Sequence, residues 1–246
     1  MGSAKLFAYP AIRNPNSEIQ MTPDACLYIV STPIGNLEDI TLRAVRVLKE
    51  VDFIFAEDTR FTRKLLTHFQ ISTPLRSYHG YNKVKQAEKL LRLLAGGREA
   101  ALVSNAGTPG ISDPGSYLIR LALDRGVPVV PVPGPTAFAA ALSVSGMPGV
   151  NFIFYGWLSP KGSKRRRALL ELKDEERTII FYEAPHRLLK TLIDIESVLG
   201  DRHLFIGREL TKKFEERLCG RVSELIEIFE NRKPRGEFTL IVSGKI

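Results

Sequence analysis

The residues best placed to do chemistry follow short apolar runs. Ser104-Asn105-Ala106-Gly107-Thr108-Pro109-Gly110-Ile111-Ser112-Asp113-Pro114-Gly115 comes after Ala100–Val103, which reads as a buried strand. It leads into Tyr117–Leu123, which reads as a helix. Three glycines and two prolines in a strand-to-helix loop suit close backbone approach to something small. Ligands of open α/β sheets bind at the carboxyl ends of strands, where this loop lies. Glu57-Asp58-Thr59-Arg60 ends another apolar run and opens a helix. Its acids suit helix capping and a ligand crevice equally. Tyr182-Glu183-Ala184-Pro185-His186-Arg187 and Arg208-Glu209-Leu210-Thr211-Lys212-Lys213 repeat the situation, with capping and a solvated face as the alternative role.

Several chemistries lack their signatures. The first strand-to-helix loop, Ser31-Thr32-Pro33-Ile34-Gly35-Asn36-Leu37, has one glycine where a dinucleotide fingerprint needs three. No G-x-x-x-x-G-K-[ST] string occurs, so a nucleoside-triphosphate cradle is not supported. The four histidines and two cysteines have no metal-ligand spacing, and no nucleophile elbow is present. The single tryptophan, Trp157, and the tyrosines form no stripe of stacking aromatics, which argues against an RRM-like or OB-like sheet.

Alternating strand and helix patterns must position these loops. Strands are predicted at 27–30, 53–56, 100–103, 127–132, 152–155, 178–181, 204–206 and 238–242, with a possible hairpin over 211–222. Helices are predicted over 41–51, 59–69, 82–94 (Asn82 as N-cap), 116–124, 136–144, 164–173, 188–199 and 223–231. The pattern predicts an α/β protein with two mainly parallel sheets. The expected division is a flexible leader over 1–24, one α/β domain over 25–134 and a second over 135–246.

The chain has 246 residues, 44% hydrophobic and 25% charged, enough for a sizeable core without disulfides or metals. Two cysteines suit a reducing compartment. No apolar run approaches bilayer length, and Pro10 and Arg13 interrupt any secretory signal, so a cytoplasmic protein without a membrane partner is expected. The net charge of +8 favours a polyanionic partner. Lys161-Gly162-Ser163-Lys164-Arg165-Arg166-Arg167 places five cations in seven residues with no acid between them, a pattern suited to phosphate backbones.

Taken together, Thr32–Thr41, Glu57–Arg60, Ser104–Gly115, Tyr182–Arg187 and Arg208–Lys212 resemble the ribosomal RNA small subunit methyltransferase I group of the tetrapyrrole methylase superfamily, over the chain from Leu27 onward. One departure is visible: the group usually carries an acid where this chain has Asn105. The resemblance implies two α/β domains with S-adenosylmethionine in the cleft between them, and a homodimer. It implies 2′-O-methylation of a cytidine in the decoding region of small-subunit ribosomal RNA, with that RNA or the 30S subunit as partner. Carried over by motif, the donor-binding residues are Pro33, Gly107, Thr108, Pro109, Ile111, Thr136, Ala137, Tyr182, Glu183 and Leu210. Candidates near the acceptor are Asp58, Arg60, Arg208, Glu209 and Lys212, and candidate RNA contacts are Lys161, Lys164, Arg165, Arg166, Arg167 and Arg187; no metal is implied. The competing expectations are a methylase of an acidic tetrapyrrole and a non-catalytic RNA-binding assembly protein.

Overall fold

The computed structural model describes residues 25–79, 83–113 and 115–245; the expected leader, the expected cap Asn82 and Pro114 lie outside the described residues. The chain divides into two units, residues 25–32 with 40–134, and residues 33–39 with 135–245.

In the first unit five strands form one sheet: β1 (Leu27–Val30), β2 (Phe53–Ala56), β3 (Leu75–Ser77), β4 (Ala100–Val103) and β5 (Val129–Val132), in the order β3-β2-β4-β1-β5. All pairings are parallel. β4 is buried on both faces, which is why it reads as an uninterrupted apolar run. Its alternate residues serve two cores: Ala100 and Leu102 pack in one, Ala101 and Val103 in the other. Four helices supply the covering apolar faces: α1 (Leu42–Glu50), α2 (Thr59–His68), α3 (Lys83–Ala95) and α4 (Ser116–Asp124). α1 starts at Thr41, whose hydroxyl accepts from Ala44 N at 3.0 Å. Residues of α1 and α2 cover the face with Ala101 and Val103, and residues of α3 and α4 cover the other.

This arrangement fixes where the loops leave the sheet. Val103 pairs with both Val30 and Ala56, so β1, β2 and β4 end at one level. The chain leaving β4 turns to the opposite face from the chains leaving β1 and β2, its two neighbours. Such a reversal opens a crevice at the strand ends.

The second unit holds another five-stranded sheet, order β6-β7-β10-β8-β9, built from β6 (Phe152–Trp157), β7 (Thr178–Glu183), β8 (His203–Arg208), β9 (Glu216–Arg221) and β10 (Phe238–Val242). Here only β6 and β7 run parallel; the other three pairings are antiparallel. The expectation of parallel strands holds for the first sheet, and the second is mixed. The difference comes from the hairpin β8–β9 and from β10, which inserts between β7 and β8 running the other way. Strand–helix alternation in a sequence does not specify that insertion.

α5 (Ala137–Ser145) and Ile34 pack on one face of this sheet with Ile180, Phe205, Leu210 and Ile241. α6 (Gly162–Glu171), α7 (Leu188–Leu199) and α8 (Val222–Glu230) cover the other. Both cysteines are free, Cys26 buried and Cys219 exposed. Among the described residues, no helix is long and apolar enough to cross a membrane.

α6 is tied to α7 by a buried ion pair. Arg165 Nε donates to Asp194 Oδ2 at 2.7 Å, and Arg166 Nη1 donates to Oδ1 at 3.2 Å. The Arg165 and Asp194 side chains are only 6% and 10% exposed. Removing one partner strands the other charge in the core. Asp194→Ala is therefore expected to cost about 3–5 kcal/mol, read as a lower urea midpoint; an unchanged midpoint contradicts the structural role given to this pair.

Candidate functional site

In the first unit the site is built by the loop after β4. Thr32 N donates to Gly107 O at 2.9 Å and Gly107 N returns a bond to Thr32 O at 3.0 Å, an isolated antiparallel bridge to the chain leaving β1. Thr32 Oγ1 also donates to Ser104 O at 3.2 Å, and the Ser31 and Thr108 hydroxyls share a bond at 2.8 Å. On the other side the loop grips the chain leaving β2. Asn105 Oδ1 accepts from Asp58 N at 3.1 Å, and Asn105 Nδ2 donates to Glu57 Oε2 at 3.2 Å. A carboxylate at 105 could accept from Asp58 N but could not donate to Glu57. The amide is thus matched to the Glu57 carboxylate in this chain. Gly107 and Gly110 adopt φ of 80° and 83°, left-handed geometry that glycine takes without strain.

Asp58 is the N-cap of α2. Its Oδ1 accepts from Arg60 N at 2.8 Å and its Oδ2 from Arg60 Nη2 at 2.9 Å. The Arg60 guanidinium and backbone amide hold the Asp58 carboxyl down at about 2. Asp58 is therefore a carboxylate at any neutral pH and a weak proton acceptor.

In the second unit the site gathers where β6, β7 and β8 end. Glu183 is buried with both oxygens engaged: Oε1 accepts from Ala184 N at 2.7 Å and pairs with Arg187 Nη2 at 2.6 Å, and Oε2 accepts from Thr191 Oγ1. These bonds fix the turn into α7. Tyr182 OH accepts from Phe138 N at 3.1 Å, in the first turn of α5. The N-cap of α5, Thr136, makes no side-chain capping bond.

The loop after β8 carries the strain in this region. Glu209 and Thr211 take φ of 50° and 66°, and for a β-branched residue such as Thr211 this is costly. The surroundings over-determine the conformation. Glu209 N donates to Glu237 O at 3.0 Å, while Glu209 Oε1 accepts from Lys212 Nζ at 2.9 Å and from Glu237 N at 2.9 Å. Lys212 Nζ reaches Glu237 Oε2 at 2.7 Å, and Arg208 pairs with Glu216 at 3.2 Å. Thr211 Oγ1 accepts from Asn36 N at 3.0 Å. A Cβ on Gly35 would overlap Lys212 Cγ and stand 2.9 Å from Leu210 O, so segment 33–39 lies flat on this loop. Burial pulls the Lys212 ammonium down, but Glu237 and Glu209 outweigh it and hold it above its ordinary value. Burial raises the Glu209 carboxyl, and Lys212 with the Glu237 amide more than offsets that. Both groups stay charged near neutrality.

The structure divides the expected RNA contacts. Arg167 is exposed, Arg166 half-exposed, and Lys161 and Lys164 have no carboxylate partner among the described residues. Arg165 is buried against Asp194, and Arg187 is folded inward onto Glu183 and Leu158 O. Nothing in the sequence separates Arg165 from its cationic neighbours. Gly35 and Asn36 lie within the Thr32–Thr41 motif but carry no site role in the sequence reading, and Phe138 and Glu237 lie outside every motif singled out there. Among the described residues no cluster of His, Cys, Asp and Glu could hold a metal.

Paired α/β units, each with loops gathered at the ends of its strands, are the architecture of a known class of enzymes. Residues 26–226 match the tetrapyrrole (corrin/porphyrin) methylases, and the chain belongs to that family. A Thermotoga maritima relative named ribosomal RNA small subunit methyltransferase I is 52% identical over 89% of this chain and 98% of its own length. Solved structures share the fold. A cobalt precorrin-4 methyltransferase has a TM-score of 0.68 at 17% identity, covering 88% of this chain and 94% of its own. A Thermus thermophilus uroporphyrin-III C-methyltransferase in complex with S-adenosyl homocysteine has a TM-score of 0.62 at 21% identity, covering 89% and 97%.

Two outcomes follow from the geometry. Asp58→Asn keeps an N-cap and removes a charge that titrates far below neutrality. Its activity against pH is expected to keep the wild-type shape from pH 5.5 to 8; loss of an acidic limb contradicts the assignment. Gly35→Ala forces segment 33–39 off the Leu210 carbonyl. The expected cost is about 1–3 kcal/mol in denaturant unfolding, and unaltered stability contradicts the close packing.

Proposed function

We propose that this protein transfers a methyl group from S-adenosylmethionine to the 2′-oxygen of a cytidine in the decoding region of small-subunit ribosomal RNA. The observation that carries this is the 52% identity, over nearly the whole length of both chains, to a relative named for small-subunit ribosomal RNA methylation. Donor use is supported by membership in a methylase family and by the fold neighbour crystallised with S-adenosyl homocysteine. Work on ribosomal RNA implies the cytoplasm, and the protein is proposed to act as a homodimer.

The residues fit such a donor by their chemistry. The backbone at 107–111 passes through glycines with positive φ, leaving little side chain to obstruct a nucleoside. Gly107 is bonded to Thr32 through its backbone and the Thr108 hydroxyl to Ser31, which fixes the loop's shape; Gly107, Thr108, Pro109 and partly exposed Ile111 are proposed as donor contacts. In the second unit Pro33, Thr136, Ala137, Tyr182 and Leu210 are proposed as donor contacts, and Glu183 as the group that holds the turn after Tyr182. The bound sulfonium supplies an electrophilic methyl group. What the protein must add is alignment, which can contribute about 7–11 kcal/mol. Asp58, Glu209 and Lys212 are fixed in their charged forms, and none is tuned as a base near pH 7. We therefore assign Asp58, Arg60, Arg208, Glu209 and Lys212 to orienting the acceptor ribose and phosphate. On transfer the methyl carbon would exchange its bond to sulfur for one to the 2′-oxygen, S-adenosyl homocysteine would be the leaving group, and the hydroxyl proton would pass to water.

Lys161, Lys164, Arg166 and Arg167 are proposed to meet the RNA backbone. Replacing Lys161, Lys164 and Arg167 with alanine is expected to weaken RNA binding and reduce the salt slope by about 2, at about 0.7 per lost single-strand phosphate contact. An unchanged slope removes the RNA role from this run. The function is tested by incubating the protein with methyl-labelled donor and 30S subunits, then digesting the RNA to nucleosides. Label in 2′-O-methylcytidine is expected; label only in an added tetrapyrrole, or none, contradicts the proposal.

A further inference from the structure

Trp157, the chain's single tryptophan, is 47% exposed at the end of the edge strand β6. A bulge puts it there. Phe154 pairs with Ile180 but Gly156, at φ 79°, pairs with Phe181, so the register advances by one residue at Tyr155. Trp157 thereby stands opposite Tyr182 and on its face of the sheet, with ring centroids 5.7 Å apart at 61°. Tyr155 packs toward Phe181 on the other face. Bulges re-aim side chains beside functional sites. Here the re-aimed side chain is a large aromatic left half in solvent. The Arg187 guanidinium lies 5.8 Å from its ring. Four residues on, Lys161 begins the cationic stretch into α6, where neither Lys161 nor Lys164 has an acidic partner among the described residues.

A bare aromatic surface followed directly by unneutralised cations matches single-stranded nucleic acid, which offers a base face and a phosphate at each step. We propose that Trp157 stacks on an unpaired base of the RNA substrate while Lys161 and Lys164 hold the adjoining phosphates. Trp157 is then a positioning residue that presents the acceptor strand. This rests on the assignment of ribosomal RNA as substrate and adds to it that the segment bound is single-stranded.

Because the tryptophan is unique, its emission reports on the contact without any mutation. A single-stranded RNA oligonucleotide carrying the acceptor cytidine is expected to quench it; the same sequence in a duplex and S-adenosyl homocysteine alone are expected not to. Trp157→Ala should raise KM for RNA by a factor on the order of 10 to 100 with donor affinity unchanged in calorimetry, and Trp157→Phe should restore most of it. Tyr155→Ala, on the opposite face, should leave KM near wild type. Unaltered emission at saturating RNA, quenching by S-adenosyl homocysteine alone, or an unchanged KM in Trp157→Ala overturns the inference. An enzyme that methylates ribosomal RNA with no change in Trp157 emission overturns this inference and leaves the function standing; an enzyme that transfers no methyl group to ribosomal RNA overturns the function itself.

Discussion

The first unit depends on one loop being bonded to both of its neighbours. The chain leaving β4 bridges to Thr32 through Gly107 and to Glu57 and Asp58 through Asn105. Three loops that would otherwise move separately become one hydrogen-bonded surface at the carboxyl ends of β1, β2 and β4. The register of those strands makes this possible, because Val30, Ala56 and Val103 end at one level. Pre-organisation of this kind spares the ordering entropy that a mobile binding loop loses when it closes on a ligand.

The second unit reaches a similar result by different means. Its sheet is mixed, and the loop after β8 is held by ion pairs although two of its non-glycine residues sit at positive φ. Those positions are kept because Glu237, Lys212 and Asn36 satisfy the loop's polar groups from several directions. The same contacts fix the charge state of Glu209 and Lys212. The site therefore offers oriented charges more than a titrating base, which suits a reaction whose electrophile arrives already activated.

Much of this was legible in the sequence because buried strands are short apolar runs. Leu27–Val30, Phe53–Ala56 and Ala100–Val103 stand in the structure as the sequence indicates. β3 was not legible: Leu75-Arg76-Ser77 is three residues long, and two of the three are polar. Nor was the direction of β10, which depends on where a strand inserts rather than on its composition. Site motifs could be located, but the division of labour within them could not. Arg165 and Arg167 are the same residue type in one run, yet burial against Asp194 makes the first structural while the second stays in solvent. Glu183 looked like a ligand contact by position, and its oxygens are spent on Ala184, Arg187 and Thr191.

The strand-end loops of each unit are proposed to bind the methyl donor through pre-formed backbone. Hydrogen–deuterium exchange of the intact protein with and without S-adenosyl homocysteine tests this proposal most directly, since each loop is read separately. Slower exchange is predicted at residues 104–113 and at 208–212, with residues 145–151 unaffected. Unchanged exchange in both loops at saturating nucleoside, or protection confined to segments away from the strand ends, would contradict it.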